Sequence, residues 1–254
     1  MDKKKAEKEF AAAAFARTEQ ALGVRAVKSL ADSRVAVIGV GGVGGWCAEA
    51  LVRTGVGTLL IADPDRVAPS NVNRQIMAGS KTVGELKVVA LEKRLQEINP
   101  DLKLEIMSER YSCGTADSFS LQTYDCVVDA IDSLEDKADL ILHVTKLERT
   151  HLFSSMGAAL RRDPFAVTKG EFWDVKGDAL ARSLRSRFRK TGEFPARKFQ
   201  CVYSRESPFK PEDAPPVGEK RAYGSLVQVS AVFGRRAFRS AVCASFSQYK
   251  IKFG

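Results

Sequence analysis

From residue 34 onward two periodicities take turns. Short β-branched apolar runs at 34–39, 58–62, 102–107 and 124–130 are separated by stretches where apolar residues recur every three to four positions, 45–53, 83–98 and 132–147. Such alternation predicts an α/β fold: a Rossmann-like, doubly wound, mostly parallel sheet with helices on both faces. One more strand is expected at 150–155. An alanine-rich helical stretch over 6–30, interrupted near Gly23, precedes the sheet. Beyond Gly157 the regularity weakens to a strand at 166–173, a basic helix at 178–190, a strand at 199–203, a Pro- and charge-rich loop at 207–223, and a final strand and helix over 225–246. The expected organisation is an N-terminal helical segment (1–30), a nucleotide-binding unit (31–165) and a basic α+β extension that completes the sheet (166–254).

Composition narrows the class. With 254 residues, 44% of them apolar and 28% charged, the chain can bury a sizeable core and is not an intrinsically disordered protein. No stretch approaches the roughly 20 apolar residues of a membrane span, and Met1–Phe10 mixes Lys and Glu with no apolar signal core behind it, so a soluble, cytoplasmic protein is expected. Cys47, Cys113, Cys126, Cys201 and Cys243 are far apart with no C-x-x-C pair, which argues against a disulfide framework and a tetrathiolate zinc site. His143 and His151 leave few nitrogen ligands for another transition metal.

Charge is one-sided. Residues 1–150 hold 20 Lys and Arg against 22 Asp and Glu, a net of −2, whereas residues 151–254 hold 20 against 9, a net of +11. An excess of that size in one half is the footprint of a polyanion partner, above all a nucleic acid.

The first chemistry-bearing segment is Gly39-Val40-Gly41-Gly42-Val43-Gly44, a G-x-G-x-x-G between a strand and a helix. Glycines there permit a tight turn and close approach of backbone to phosphate, and the helix N-terminus offers free N–H groups. Asp63, ending the 58–62 run, supplies the acid that binds ribose hydroxyls. The next segment separates a nicotinamide from a triphosphate. Asp63-Pro-Asp65-Arg-Val-Ala-Pro-Ser70-Asn71-Val-Asn73-Arg74-Gln75, followed by Val83-Gly-Glu-Leu-Lys87, is superfluous for a hydride carrier. A triphosphate cleaved at its α-phosphorus needs cations near the developing charge, and Arg74 and Lys87 fit.

Across about residues 10–165 the sequence resembles the ubiquitin-activating-enzyme-like adenylyltransferases, the family of the molybdopterin- and thiamine-pathway activating enzymes. The shared signatures are G-x-G-G-x-G, D-x-D-x-V-x-x-S-N-x-x-R-Q, V-G-x-x-K and D-A-x-D. The resemblance implies that Gly39, Gly41, Gly42, Gly44 and Asp63 hold ATP and that Asn71, Arg74 and Lys87 meet its phosphates. Asp65, Ser70, Asn73 and Gln75 stand beside them in the same signature, and Asp129, Asp132 and Ser133 complete the nucleotide site. Asp132 is the implied Mg²⁺ ligand, which suits a hard ion that takes one or two carboxylates plus substrate phosphates. The resemblance also implies an arginine that reaches the phosphates from the N-terminal helix of a partner subunit; Arg17 matches that segment, and a homodimer is expected. The catalytic set is thus Arg17, Arg74, Lys87 and Asp132.

Later segments resemble the tRNA threonylcarbamoyladenosine dehydratases within that family: Ser154-Ser155-Met156-Gly157-Ala158, Arg162-Asp163-Pro164, 179–189, Cys201-Val202-Tyr203-Ser204, and Gly224-Ser225-Leu226 through Val232-Phe233-Gly234. The implied reaction activates the threonylcarbamoyl carboxylate with ATP and closes a ring with loss of AMP, so no enzymic thiol is required. Cys201 matches the subfamily, but packing is its simpler role, and the other cysteines are expected in the core. Over 181–198 seven cations face one acid, Glu193. Arg182, Arg185, Arg189, Lys190, Arg197 and Lys198 are the expected tRNA-backbone contacts. Some relatives also imply a monovalent cation (Na⁺ or K⁺) at the C-terminal loop and sulfur-transfer partners. The competing readings are an activating enzyme for a carrier-protein C-terminus or a small carboxylic acid, and a non-catalytic nucleotide-binding scaffold. Ala159-Leu160 and the Arg235, Arg236, Arg239 run depart from the subfamily pattern.

Overall fold

A computed structural model describes residues 3–213 and 223–245. Helix α1 (Lys3–Leu22) passes through Gly23 into α2 (Val24–Asp32), and β1 (Arg34–Ile38) follows. The other strands are β2 (Thr58–Ala62), β3 (Lys103–Met107), β4 (Cys126–Asp129), β5 (His151–Ser155), β6 (Val167–Glu171) and β7 (Gln200–Ser204). They form one seven-stranded sheet in the order β3-β2-β1-β4-β5-β7-β6. Every neighbouring pair is parallel except β6 with β7. Strand order reverses between β1 and β4, so the connections after these two strands leave in opposite directions and open a crevice at their carboxyl ends.

Period-two burial divides the core. Along β1, Val35 and Val37 join one cluster with Leu59, Ile61 and Val128, covered by α3 (Gly44–Thr54), α4 (Lys87–Ile98) and α7 (Val227–Ser245). Ala36 and Ile38 join the opposite cluster with Leu60 and Val127, covered by α5 (Leu134–Lys146) and α6 (Ala179–Thr191). Strands buried on both faces are what an α/β sheet requires. Residues after 165 contribute β6, β7, α6 and α7 to this sheet and its layers.

Three expectations are corrected. Helix α4 starts at Lys87, not near Val83, because residues 84–87 pair instead with 65–67: Gly84 N–H donates to Val67 O (2.9 Å), Val67 N–H to Glu85 O (2.8 Å) and Lys87 N–H to Asp65 O (2.9 Å). Gly84 makes the turn with φ 91°, open to glycine at little cost. No strand forms around 225; the Gly224 and Ser225 carbonyls accept hydrogen bonds from Leu160 N–H and the Asn73 amide, which replace ladder partners. Cys113 is exposed in a turn, unlike the buried Cys47, Cys126 and Cys201. Residues 214–222 of the Pro-rich loop and the expected helix end at Phe246 lie outside the described residues. No described helix is long and apolar enough to cross a membrane.

Candidate functional site

The glycine loop bridges β1 and α3 at the crevice. Gly39 has φ 88°, and a side chain there would meet the Ala130 carbonyl at 2.7 Å; at Gly44 it would stand 1.8 Å from the Gly39 carbonyl. Only glycine closes the turn this tightly. Gly41 and Gly42 donate no backbone hydrogen bond among the described residues, which leaves their amides for an anion at the start of α3. Asp63 sits at the carboxyl end of β2, buried, and its Oδ2 accepts the Val40 N–H at 2.9 Å while Oδ1 accepts the Asp65 N–H at 3.0 Å. Burial raises its pKa against the lowering pull of Lys87 and the two amides.

The segment from Asp65 to Gln75 folds over the loop. Asn71 caps its short turn, its Oδ1 accepting the Ala68 N–H at 3.0 Å, and Asn73 reaches the Ser225 carbonyl at 2.8 Å. Arg74 donates to Ser70 O (2.8 Å) and Asn73 Oδ1 (2.9 Å), and its own carbonyl accepts the Trp46 indole at 3.0 Å. These contacts hold the guanidinium in place while the stem of Arg74 lies against Gly42 of the glycine loop. Ser70 is exposed, whereas Gln75 is buried with Oε1 unpartnered among the described residues. Lys87 is buried, its ammonium 2.7 Å from Asp65 Oδ2 and 3.4 Å from Asp63 Oδ1. Pairing of 84–87 with 65–67 thus delivers the lysine to the Asp63 and Asp65 carboxylates.

At the carboxyl end of β4 the two acids of D-A-x-D separate. Asp132 is exposed and makes no hydrogen bond or ion pair among the described residues; Ser133, not Asp132, occupies the N-cap position of α5. Asp129 departs from its expected place beside the nucleotide. It is 0% exposed, with both oxygens held by Lys137 Nζ at 2.8 Å and Oδ2 also by Ser154 Oγ at 2.5 Å, so the carboxylate is saturated inside the protein.

The residues present suit MgATP: a glycine cradle with free amides, cations beside it, and one solvent-facing carboxylate as a hard donor. Among the described residues no group of three or more His, Cys, Asp or Glu forms a metal site on its own. Sparse protein ligation is normal for Mg²⁺ carried by phosphates.

Arg17 is exposed on α1. Two residues away, Phe15 packs over Gly55, which caps the far end of α3, so this helix lies at the opposite end of α3 from the glycine loop of its own chain. On α6, Arg182, Arg189 and Lys190 are exposed, as is Lys198 beyond it. Arg185 and Arg197 are corrected. Arg185 donates to Phe172 O at 3.0 Å and lies over that ring, while Arg197 caps the end of α5 through the Val144, Glu148 and Thr150 carbonyls. Arg187, too, is occupied, by Glu135 and Asp139. Cys201 is fully buried, and burial lifts its thiol to about 12, far from a reactive thiolate.

Sequence reasoning missed Lys137 and Trp46, and it carried Ser154 only as part of a shared motif, with no role beside Asp129. Lys137 had a readable signal: it precedes Ile141 by four and Val144 by seven, a cation on the apolar stripe of α5.

Residues 15–215 match the ThiF family model, and the chain belongs to the ThiF family. Within it, the chain is 38% identical to the tRNA threonylcarbamoyladenosine dehydratase of Bacillus subtilis (strain 168) over 77% of this chain and 76% of that one. It is 31% identical to the Escherichia coli (strain K12) enzyme of the same name, over 87% and 88% of the two chains. The E. coli dehydratase solved in complex with ATP superposes with a TM-score of 0.84 and 29% identity, covering 94% of this chain and 96% of that one.

Proposed function

We propose that this protein is an ATP-dependent tRNA threonylcarbamoyladenosine dehydratase. The observation that carries the reading is the convergence of the glycine loop, Arg74 and the unpartnered Asp132 at the β1–β4 crevice, in a chain similar along most of its length to enzymes of that name. The threonylcarbamoyl carboxylate attacks the α-phosphorus of ATP and pyrophosphate leaves. A heteroatom of the same substrate then displaces AMP and closes the ring, with net loss of one water. Arg74 and Lys87 meet the phosphate charge as it develops, and Asp63 holds the loop amide beneath the ribose. Mg²⁺, held by Asp132 and the phosphates, would neutralise charge on the leaving pyrophosphate.

Because the second nucleophile lies in the substrate, a buried, inert Cys201 is compatible with turnover. A homodimer supplies Arg17 in trans, and Arg182, Arg189, Lys190 and Lys198 form the tRNA-backbone surface. A cytoplasmic setting, where ATP and tRNA meet, accompanies this reading. The sulfur-transfer partner and monovalent cation of some relatives have no step in this chemistry.

The test is nucleoside mass spectrometry of tRNA bearing threonylcarbamoyladenosine after incubation with protein, Mg²⁺ and ATP. Loss of one water, dependent on ATP and matched by AMP, is the expected result. Pyrophosphate exchange driven by another carboxylate, with tRNA unchanged, would overturn the substrate and keep the adenylation site.

A further inference from the structure

Beneath the turn that carries Asp132 lies a charge cluster that the reaction above does not use. Lys137 and Asp129 are each 0% exposed, and the ammonium donates to both carboxylate oxygens at 2.8 Å. Asp129 Oδ1 also accepts the Ile131 N–H at 3.1 Å, and Oδ2 accepts Ser154 Oγ at 2.5 Å. One carboxylate therefore ties together the end of β4, the turn after it, β5 and α5. That turn also meets the glycine loop: the Ala130 N–H donates to Ile38 O at 2.8 Å, and Ala130 O is the atom that forbids a side chain at Gly39.

Stability alone does not explain the pair. Two charges moved out of water lose solvation that their attraction only partly repays, and an apolar pair of similar volume often serves a core as well or better. What an apolar pair cannot do is accept the Ile131 N–H. The Asp129 carboxylate can, and the Lys137 ammonium at 2.8 Å from both of its oxygens holds it in place to do so. Asp132 needs this precision because, among the described residues, no side chain hydrogen-bonds or pairs with it to orient it.

We propose that Lys137 is a positioning residue for adenylation: it pins Asp129, Asp129 fixes the Ile131 turn, and the turn aims Asp132 at the Mg²⁺-bound phosphates. The proposal rests on the adenylation reading with Asp132 as the magnesium ligand.

The test compares wild type with Lys137→Met and with the charge-free double substitution Asp129→Val/Lys137→Met. The double variant leaves no unpaired buried charge and keeps the test valid where the single one fails to fold. Two quantities are measured: ATP affinity in EDTA, by calorimetry, and the Mg²⁺ dependence of both ATP binding and pyrophosphate exchange. The glycine loop, Asp63 and Arg74 remain, so affinity in EDTA should stay within about twofold, while the apparent Mg²⁺ affinity falls about tenfold or more, the size of effect seen when support behind a metal ligand is lost. In an Asp132→Ala background the same substitutions should change the Mg²⁺ response no further, since residues acting through one group are non-additive. A folded double variant with wild-type Mg²⁺ dependence overturns the proposal. So does an equal loss of ATP affinity with and without Mg²⁺, which marks a general collapse of the site. If the wild-type protein itself shows no Mg²⁺ response, the underlying adenylation reading fails and the proposal falls with it, a result distinguishable because no variant is involved.

Discussion

The stem of Arg74 lies against Gly42: a side chain at Gly42 would stand 3.4 Å from Arg74 Cγ and 3.6 Å from Cδ. The guanidinium beyond this contact is held by Ser70 O and Asn73 Oδ1, so it is set in place before any anion arrives. Arg74→Ala should lower the rate of pyrophosphate exchange by roughly 10²- to 10³-fold, as for loss of one preorganised charge contact, with little change in melting temperature. Gly42→Ala should leave the fold intact, since 3.4 Å is ordinary contact, and weaken ATP binding by filling the cradle. Gly44→Ala instead collides with the Gly39 carbonyl and should destabilise the protein by about 3 kcal/mol in chemical denaturation. A Gly44→Ala protein as stable as its parent would contradict the loop geometry.

Arg17 and Asp132 give a test of the dimer. If Arg17 serves the partner's site, Arg17→Ala and Asp132→Ala should each be inactive as purified homodimers. Mixed and allowed to exchange subunits, they should regain about a quarter of wild-type activity, because half of the random dimers then carry one complete site. Absence of any recovery, with subunit exchange verified by a tagged copy, would mean that Arg17 serves the site of its own chain and not that of its partner.

The basic segment splits into two groups that salt can tell apart. Arg182, Arg189, Lys190 and Lys198 are exposed; replacing each with Ala should weaken tRNA binding and reduce the slope of log K against log salt by about one. Arg185 and Arg197 bond internal carbonyls, so their Ala variants should lose stability and leave the salt slope unchanged. Filter binding across a salt series, beside thermal melts, reads both.

Two histidines set a pH dependence of stability. Burial lowers the pKa of His143, aided by Lys146 and opposed by Asp117, and burial together with Arg197 lowers that of His151. In the unfolded chain each binds its proton near the ordinary value of about 6.5, and in the fold only at lower pH. The unfolded state therefore holds more protons in that window, and stability is full above the unfolded pKa and declines as pH drops through the folded one. Melting temperature should fall from pH 7 toward pH 5, less steeply in a His143→Gln/His151→Gln variant; identical slopes would remove the histidines as the cause.

Short-range order was written in the chain. The 34–38 and 58–62 strands, the Gly23 break, the glycine loop and the basic helix all follow from periodicity, propensity and turn chemistry that act over a few residues. The phosphate-binding signature was legible for the same reason, because its glycines and Asp63 need a fixed spacing along one strand-turn-helix unit. What depends on partners distant in sequence was not. Asp129 and Asp132 are three residues apart and chemically alike, yet Lys137 and Ser154 bury one while the other stays in solvent. Arg182 and Arg185 share a helix face, yet only Arg185 finds the Phe172 carbonyl. Helix α4 lost its first turn to a pairing with residues 65–67 that no local pattern foretold. Identity sets which groups a segment can offer; packing decides which are spent on the fold and which remain to meet a substrate, because a buried polar group must be satisfied by whatever tertiary structure brings beside it.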